Sequence, residues 1–115
     1  MDSTYYITKK HSDIDLRKHL TELGFDFTLI GSIYLKDLLS LVIEKPMRVF
    51  SLSSNAMVIV SEKYNKSICS IDRDVRWTIR KSYERGCFDK YPPLKDRVPT
   101  VKQVLVWLFD FYINF

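Results

Sequence analysis

Between Val60 and Gly86 the chain reads VSEKYNKSICSIDRDVRWTIRKSYERG, and apolar and charged positions separate cleanly along it. Ile71, Val75, Ile79 and Tyr83 recur at every fourth position with Thr78 and Ser82 beside them, the spacing of a buried helical stripe. Arg73, Arg76, Trp77 and Arg80 fall at offsets of three, four and seven, so their side chains share another face of the same helix. Ser67 is placed to cap this helix, and Gly86 to end it in a left-handed conformation. The preceding Ser54–Tyr64 turns Ala56, Val60 and Tyr64 toward it if helical. Val58 and Ile59 leave that stretch open between helix and strand. A short helix, a tight polar turn and a long basic helix form the pattern of a helix-turn-helix, whose second helix enters a major groove N-terminus first.

The rest of the chain is also patterned as helices. Asp13–Leu23 predicts a first helix with Leu16, Leu20 and Leu23 on its apolar edge. Ser12 is its expected cap, Asp15 completes a capping-box-like pair, and Gly24 stops it. Phe25, Phe27 and Leu29 alternate, which predicts a short extended link. Ser32 then caps a second helix carrying Leu35, Leu38, Leu39, Val42 and Ile43, ended near Glu44 by Pro46. Met47–Leu52 reads as a further short helical stretch. After Gly86 comes a loop with Pro92, Pro93 and Pro99, and then a last helix opened by a Thr100–Gln103 capping box.

Apolar residues wrap most of that last helix. Trp107, Phe109, Phe111 and Phe115 exceed what one face can bury, so it is expected to serve partly as core and partly as a homodimer contact. Met1–His11 has no helical period. The expected organisation is an arm over residues 1–12 and a helical unit over residues 13–115. The fold class is all-α, a compact bundle of about five to six helices containing the helix-turn-helix.

A chain of 115 residues supports one modest core, and 46% hydrophobic with 28% charged residues describes a globular protein rather than a disordered one. The net charge is +4. From Lys66 to Arg85 there are six basic residues (Lys66, Arg73, Arg76, Arg80, Lys81, Arg85) against three acidic (Asp72, Asp74, Glu84), so most of the surplus sits on the turn and the long helix together. Cys69 and Cys87 are 18 residues apart, roughly 27 Å along a helix, too far for a disulfide. Free thiols, a polar N-terminus and a last segment broken by Lys102, Gln103 and Asp110 predict a cytoplasmic protein with no membrane span. His11 and His19 lack metal-ligand neighbours, the three glycines are isolated, and no serine has a nucleophile-elbow context. The expectation is therefore no enzyme, no metal and no cofactor. On pattern alone, an arginine row at this spacing is more often a solvated face than a reading head.

Ser61–Gly86, SEKYNKSICSIDRDVRWTIRKSYERG, resembles the C-terminal effector domain of the sporulation stage-zero response regulators of endospore-forming bacteria, at the same spacing and without a gap. Leu20–Glu44, LTELGFDFTLIGSIYLKDLLSLVIE, is similar to its upstream part, and Arg97–Tyr112, RVPTVKQVLVWLFDFY, more loosely to its end. The resemblance spans roughly residues 14–112. It implies a DNA-binding transcription regulator and decides Ser54–Tyr64 for helix. Arg73 and Arg76 match arginines that contact guanine edges, and Asp72 matches a glutamate beside the first. Lys66 and Ser67 match turn residues at the phosphates. Trp77 stands in place of a histidine, Ser70 of an arginine, and Asp74 of an alanine.

The candidate DNA-binding set is Lys63, Lys66, Ser67, Ser70, Asp72, Arg73, Arg76, Trp77 and Arg80, with Lys63 and Arg80 at phosphates. The family's receiver domain has no counterpart in this sequence. Control is therefore expected through abundance, a partner or self-association, not through phosphorylation. The expected partners are double-stranded DNA, a second copy through the last helix, and RNA polymerase or a full-length relative. The alternative is an interaction protein that keeps the fold without reading DNA and antagonises such a relative. Ser70, Asp74 and Trp77 favour that alternative, and the Arg73–Arg76 pair opposes it.

Overall fold

The computed structural model of the chain describes residues 13–113. They form six α-helices: α1 (Asp13–Leu23), α2 (Ile30–Glu44), α3 (Ala56–Tyr64), α4 (Ile68–Glu84), α5 (Pro92–Lys95) and α6 (Val101–Ile113). Two 3-10 turns, Pro46–Phe50 and Leu52–Ser54, join α2 to α3 where one short helix was expected. The fold is all-helical, with no strand among the described residues. Val58 and Ile59 therefore lie in a helix. The expected arm over residues 1–12 and the Ser12 cap fall outside the described residues, as does Phe115. No helix among the described residues is long and apolar enough to cross a membrane.

Helix α2 is the axis of the bundle. Ten of its fifteen residues are buried, and it packs against α1, α3, α4 and α6. Its contact with α4 is the most extensive and is made at backbone distance. A Cβ at Gly31 would lie 2.1 Å from both the Asp74 carbonyl oxygen and Thr78 Oγ1, so only glycine fits there. Around this axis Leu16, Leu20, Leu35, Leu38, Leu39, Ile71, Ile79, Phe88, Leu105 and Leu108 close a fully buried core.

Two expectations fail at the start of α2. The link after Gly24 is a turn, not an extended segment. Asp26 Oδ1 accepts from the Thr28 N–H at 2.8 Å and from its hydroxyl at 2.7 Å. The Leu29 N–H bonds the Asp26 carbonyl at 3.1 Å. Asp26 thus closes the chain locally, the preference of aspartate in turns. The helix begins three residues earlier than predicted, with Leu29 rather than Ser32 at the cap position and no side-chain cap. Ser32 is buried in the first turn and donates to the Asp26 carbonyl at 2.6 Å instead of capping.

The last helix starts as predicted. The Thr100 N–H donates to Gln103 Oε1 at 2.9 Å, and the Gln103 N–H to Thr100 Oγ1 at 3.1 Å. Its aromatic surplus is absorbed mostly within the chain. The Trp107 ring lies 5.4 Å from Phe88 and 4.7 Å from Tyr91, on the segment that the prolines shape. Phe109 is partly buried against the core, and among the described side chains of α6 Val106 is the large apolar one left exposed.

Candidate nucleic-acid interface

Helix α4 follows α3 after a three-residue turn, 65–67, and the turn is tight for a local reason. Asn65 takes the left-handed conformation (φ 53°), the Lys66 N–H bonds the Ser61 carbonyl at 3.0 Å, and the Ser61 hydroxyl donates to the Lys66 carbonyl. Ser67 then caps α4, its Oγ accepting from the Ser70 N–H at 3.1 Å. At the far end Gly86 (φ 84°) lets its own N–H reach the Tyr83 carbonyl and the Cys87 N–H reach the Ser82 carbonyl, both at 3.0 Å. This is the Schellman closure expected of a glycine there. The helix is therefore bounded by the residues that the sequence marks.

Its faces also divide as the spacing predicts. Ile71, Val75, Thr78, Ile79 and Ser82 are buried, and Tyr83 is half-buried at the end of the stripe. Cys69, Arg73, Arg76, Trp77 and Arg80 are exposed. At about 100° per residue Arg73 and Arg80 lie opposite the buried stripe, with Cys69 and Arg76 beside them. Cys69 thus joins the row, which the arginine spacing alone did not include.

The exposed groups are ordered by ion pairs along the helix. Arg76 Nε donates to Asp72 at 2.8 Å and Arg73 Nε to Asp74 at 3.4 Å, while the Lys81 ammonium sits 4.5 Å from the Trp77 ring centroid. Both guanidinium side chains are more than 70% exposed, so these pairs orient without adding much stability. The Ser67 hydroxyl donates to Ser70 Oγ at 3.0 Å, which ties the two turn hydroxyls together.

The family model described as Sporulation initiation factor Spo0A C terminal matches residues 16–103. The chain belongs to that family. Its members are DNA-binding effector domains of sporulation regulators. No curated protein sequence matches the chain at a significant level. The match ends at Gln103, in the first turn of α6, so most of that helix lies beyond it, in keeping with the looser resemblance of Arg97–Tyr112.

In this member of the Spo0A C-terminal family, Arg73, Arg76, Trp77 and Arg80 come together on one face, with Lys66 and Ser67 at its N-terminal end. Lys63 does not join them freely. Its ammonium bonds the buried Asp37 carboxylate of α2 at 3.1 Å, and Asp37 chiefly holds its pKa above the usual lysine value. The Tyr64 hydroxyl donates to the same carboxylate, and burial first, then Asp37, raises the Tyr64 pKa. Lys36, itself buried, adds a 3.6 Å contact to Asp37 and a 2.8 Å bridge to Asp13. Asp37 thus fastens α3 to α2, and its neighbour Lys36 fastens α2 to α1. Nothing in the periodicity marks it, beyond one acidic residue inside the apolar run YLKDLL. Among the described residues no group of three or more His, Cys, Asp or Glu side chains gathers as for a metal ion.

Proposed function

We propose that the chain is a sequence-specific DNA-binding transcription regulator that uses α3 and α4 as a helix-turn-helix. In this reading α4 lies in a major groove, and Arg73 and Arg76 present guanidinium forks to guanine edges. Asp72 accepts from a cytosine amino group. Lys66, Ser67, Ser70 and Arg80 hold phosphates, with Lys63 shared between a phosphate and Asp37, and Trp77 packs on a sugar. The observation that carries the proposal is the exposed arginine row lying opposite a fully buried stripe on one helix. Its arginine side chains are more than 70% exposed at Arg73 and Arg76, and beyond their own-helix carboxylates they face solvent rather than the body of the bundle.

The test is a salt-dependent gel shift on duplexes selected from random sequence, with no phosphoryl donor present. Tight binding of one sequence class is expected without a phosphorylation step. Arg73→Ala and Arg76→Ala should each cost about 1–3 kcal/mol at that site and relax base preference, whereas Lys66→Ala should weaken all sequences alike. Pairing of two copies on adjacent half-sites would raise specificity. Val106 is the place to test it, because Phe109 packs on the core and its replacement by glutamate would disturb the fold. A loss of cooperative two-site binding in Val106→Glu is the expected result.

A second reading has its own support. Arg73 and Arg76 already face Asp74 and Asp72, so the face carries its own counter-charges. A protein that keeps the fold but pairs with a full-length relative would show no duplex binding at low salt. The same gel shift separates the two.

A further inference from the structure

Beside the exposed face of α4 runs a groove of about 350 Å³. Cys69, Asp72 and Arg76 line it from α4, Thr100 and Lys102 from the start of α6, and Leu52 from the turn before α3. We propose that Lys102 is a backbone-phosphate contact supplied to DNA from outside the helix-turn-helix, across this groove. The inference rests on the DNA-reading function proposed above. With α4 in a major groove, the sugar–phosphate strand bordering that groove on the Asp72–Arg76 side runs past Lys102.

Three observations converge on this residue. The first is charge. Asp72 in the groove is neutralised by Arg76 at 2.8 Å, and Lys102 forms no ion pair among the described residues. Its ammonium is therefore the uncompensated charge on that wall. The second is preorganisation. The ammonium is held 4.7 Å from the Phe50 ring centroid, and the ring is 68% exposed, so a long side chain is ordered at the surface without a carboxylate to satisfy it. Ordering before binding lowers the entropy lost on contact. The third is placement. Lys102 occupies the first turn of a capped helix, where the macrodipole disfavours a cation. A lysine there adds nothing to helix stability, and a polyanion approaching the groove compensates both the lysine and the helix end.

The experiment uses the full chain with Lys102→Met, which removes the charge and keeps the stem over Phe50. Fluorescence anisotropy is measured on the selected duplex and on a scrambled one across a salt series, with thermal melts alongside. Lys102→Met should weaken binding to both duplexes about threefold to tenfold at low salt and make the salt slope shallower by about one, with base preference unchanged. Lys102→Arg should restore both quantities, and Lys18→Met, on the exposed side of α1, should change neither. A Lys102→Met protein that melts like wild type and keeps the wild-type slope overturns the proposal alone. A wild type that binds no duplex at any salt overturns the DNA-reading function and this inference with it.

Discussion

Helices α4 and α6 are both opened by their own side chains, Ser67 in one and the Thr100–Gln103 pair in the other, yet they meet the rest of the molecule in opposite ways. Helix α4 buries one narrow stripe and leaves its arginine face uncovered. Helix α6 is apolar nearly all round, and the bundle covers it from several sides, with Val101, Val104, Leu105 and Leu108 in the core and Trp107 against Phe88 and Tyr91. One helix offers chemistry to the outside because its charges are segregated. The other stabilises the fold because its surplus of apolar surface finds partners within the chain. The difference locates where sequence change is tolerated: on the broad exposed face of α4, and on α6 only along the stripe of Lys102, Gln103, Val106 and Asp110.

The comparison breaks most visibly at Val75, which is fully buried in the α4 stripe. Val75→Asp places an unpaired charge in the core and should abolish the cooperative thermal melt, whereas Arg80→Ala on the opposite face should stay within about 0.5 kcal/mol of wild type. A soluble Val75→Asp with a normal melt would reverse the assignment of faces. Next in size is Leu108→Ala in α6, expected to cost about 2–5 kcal/mol by chemical denaturation, against little change for Val106→Ala. Equal costs at the two positions would show that α6 is not packed as described.

A sharper probe of the contact that holds α4 in place is Gly31→Ala. The added methyl meets backbone and the Thr78 hydroxyl rather than a flexible side-chain end, so α2 and α4 must part. About 1–3 kcal/mol of destabilisation is expected from the urea midpoint, with a weaker effect excluded if the helices touch as they do here.

The smallest expected effect is on pH dependence. His19 of α1 is buried against the Phe111 and Tyr112 rings of α6, and burial lowers its pKa below 6.5 despite the opposing field of Glu22. In the same seam burial and Asp15 push the Tyr112 hydroxyl up to about 12. The unfolded chain therefore binds a proton at His19 more readily than the folded one, and stability rises with pH in that window. The contribution is complete above about pH 6.5 and is lost as the pH falls through the folded-state value. Melting temperatures of wild type should drop from about pH 6.5 downward, with a flatter profile in His19→Gln. Parallel profiles would show that His19 titrates as an exposed group.

Whatever depends on neighbours within a turn or two of the chain was legible beforehand. The two faces of α4, the Ser67 cap, the Gly86 closure and the Thr100–Gln103 box all follow from spacings of three or four residues, which the helix geometry converts directly into contacts. Even a local signal can lose to a nearer one. Ser32 had the look of a cap, but Asp26 closed the turn first and drew the serine hydroxyl onto its own carbonyl.

The sequence by itself thus determined that the chain is helical, where most helices begin and end, and which residues form the row of Arg73, Arg76, Trp77 and Arg80. Only the tertiary structure decided what surrounds that row. Asp37 meets Lys63 across 26 positions, Gly31 touches the α4 backbone, Phe88 and Tyr91 cover Trp107, and Lys102 shares a groove with Arg76. These contacts join residues with no periodic relation in the chain. They exist because the helices pack around α2 at distances and angles set by side-chain volume over the whole core.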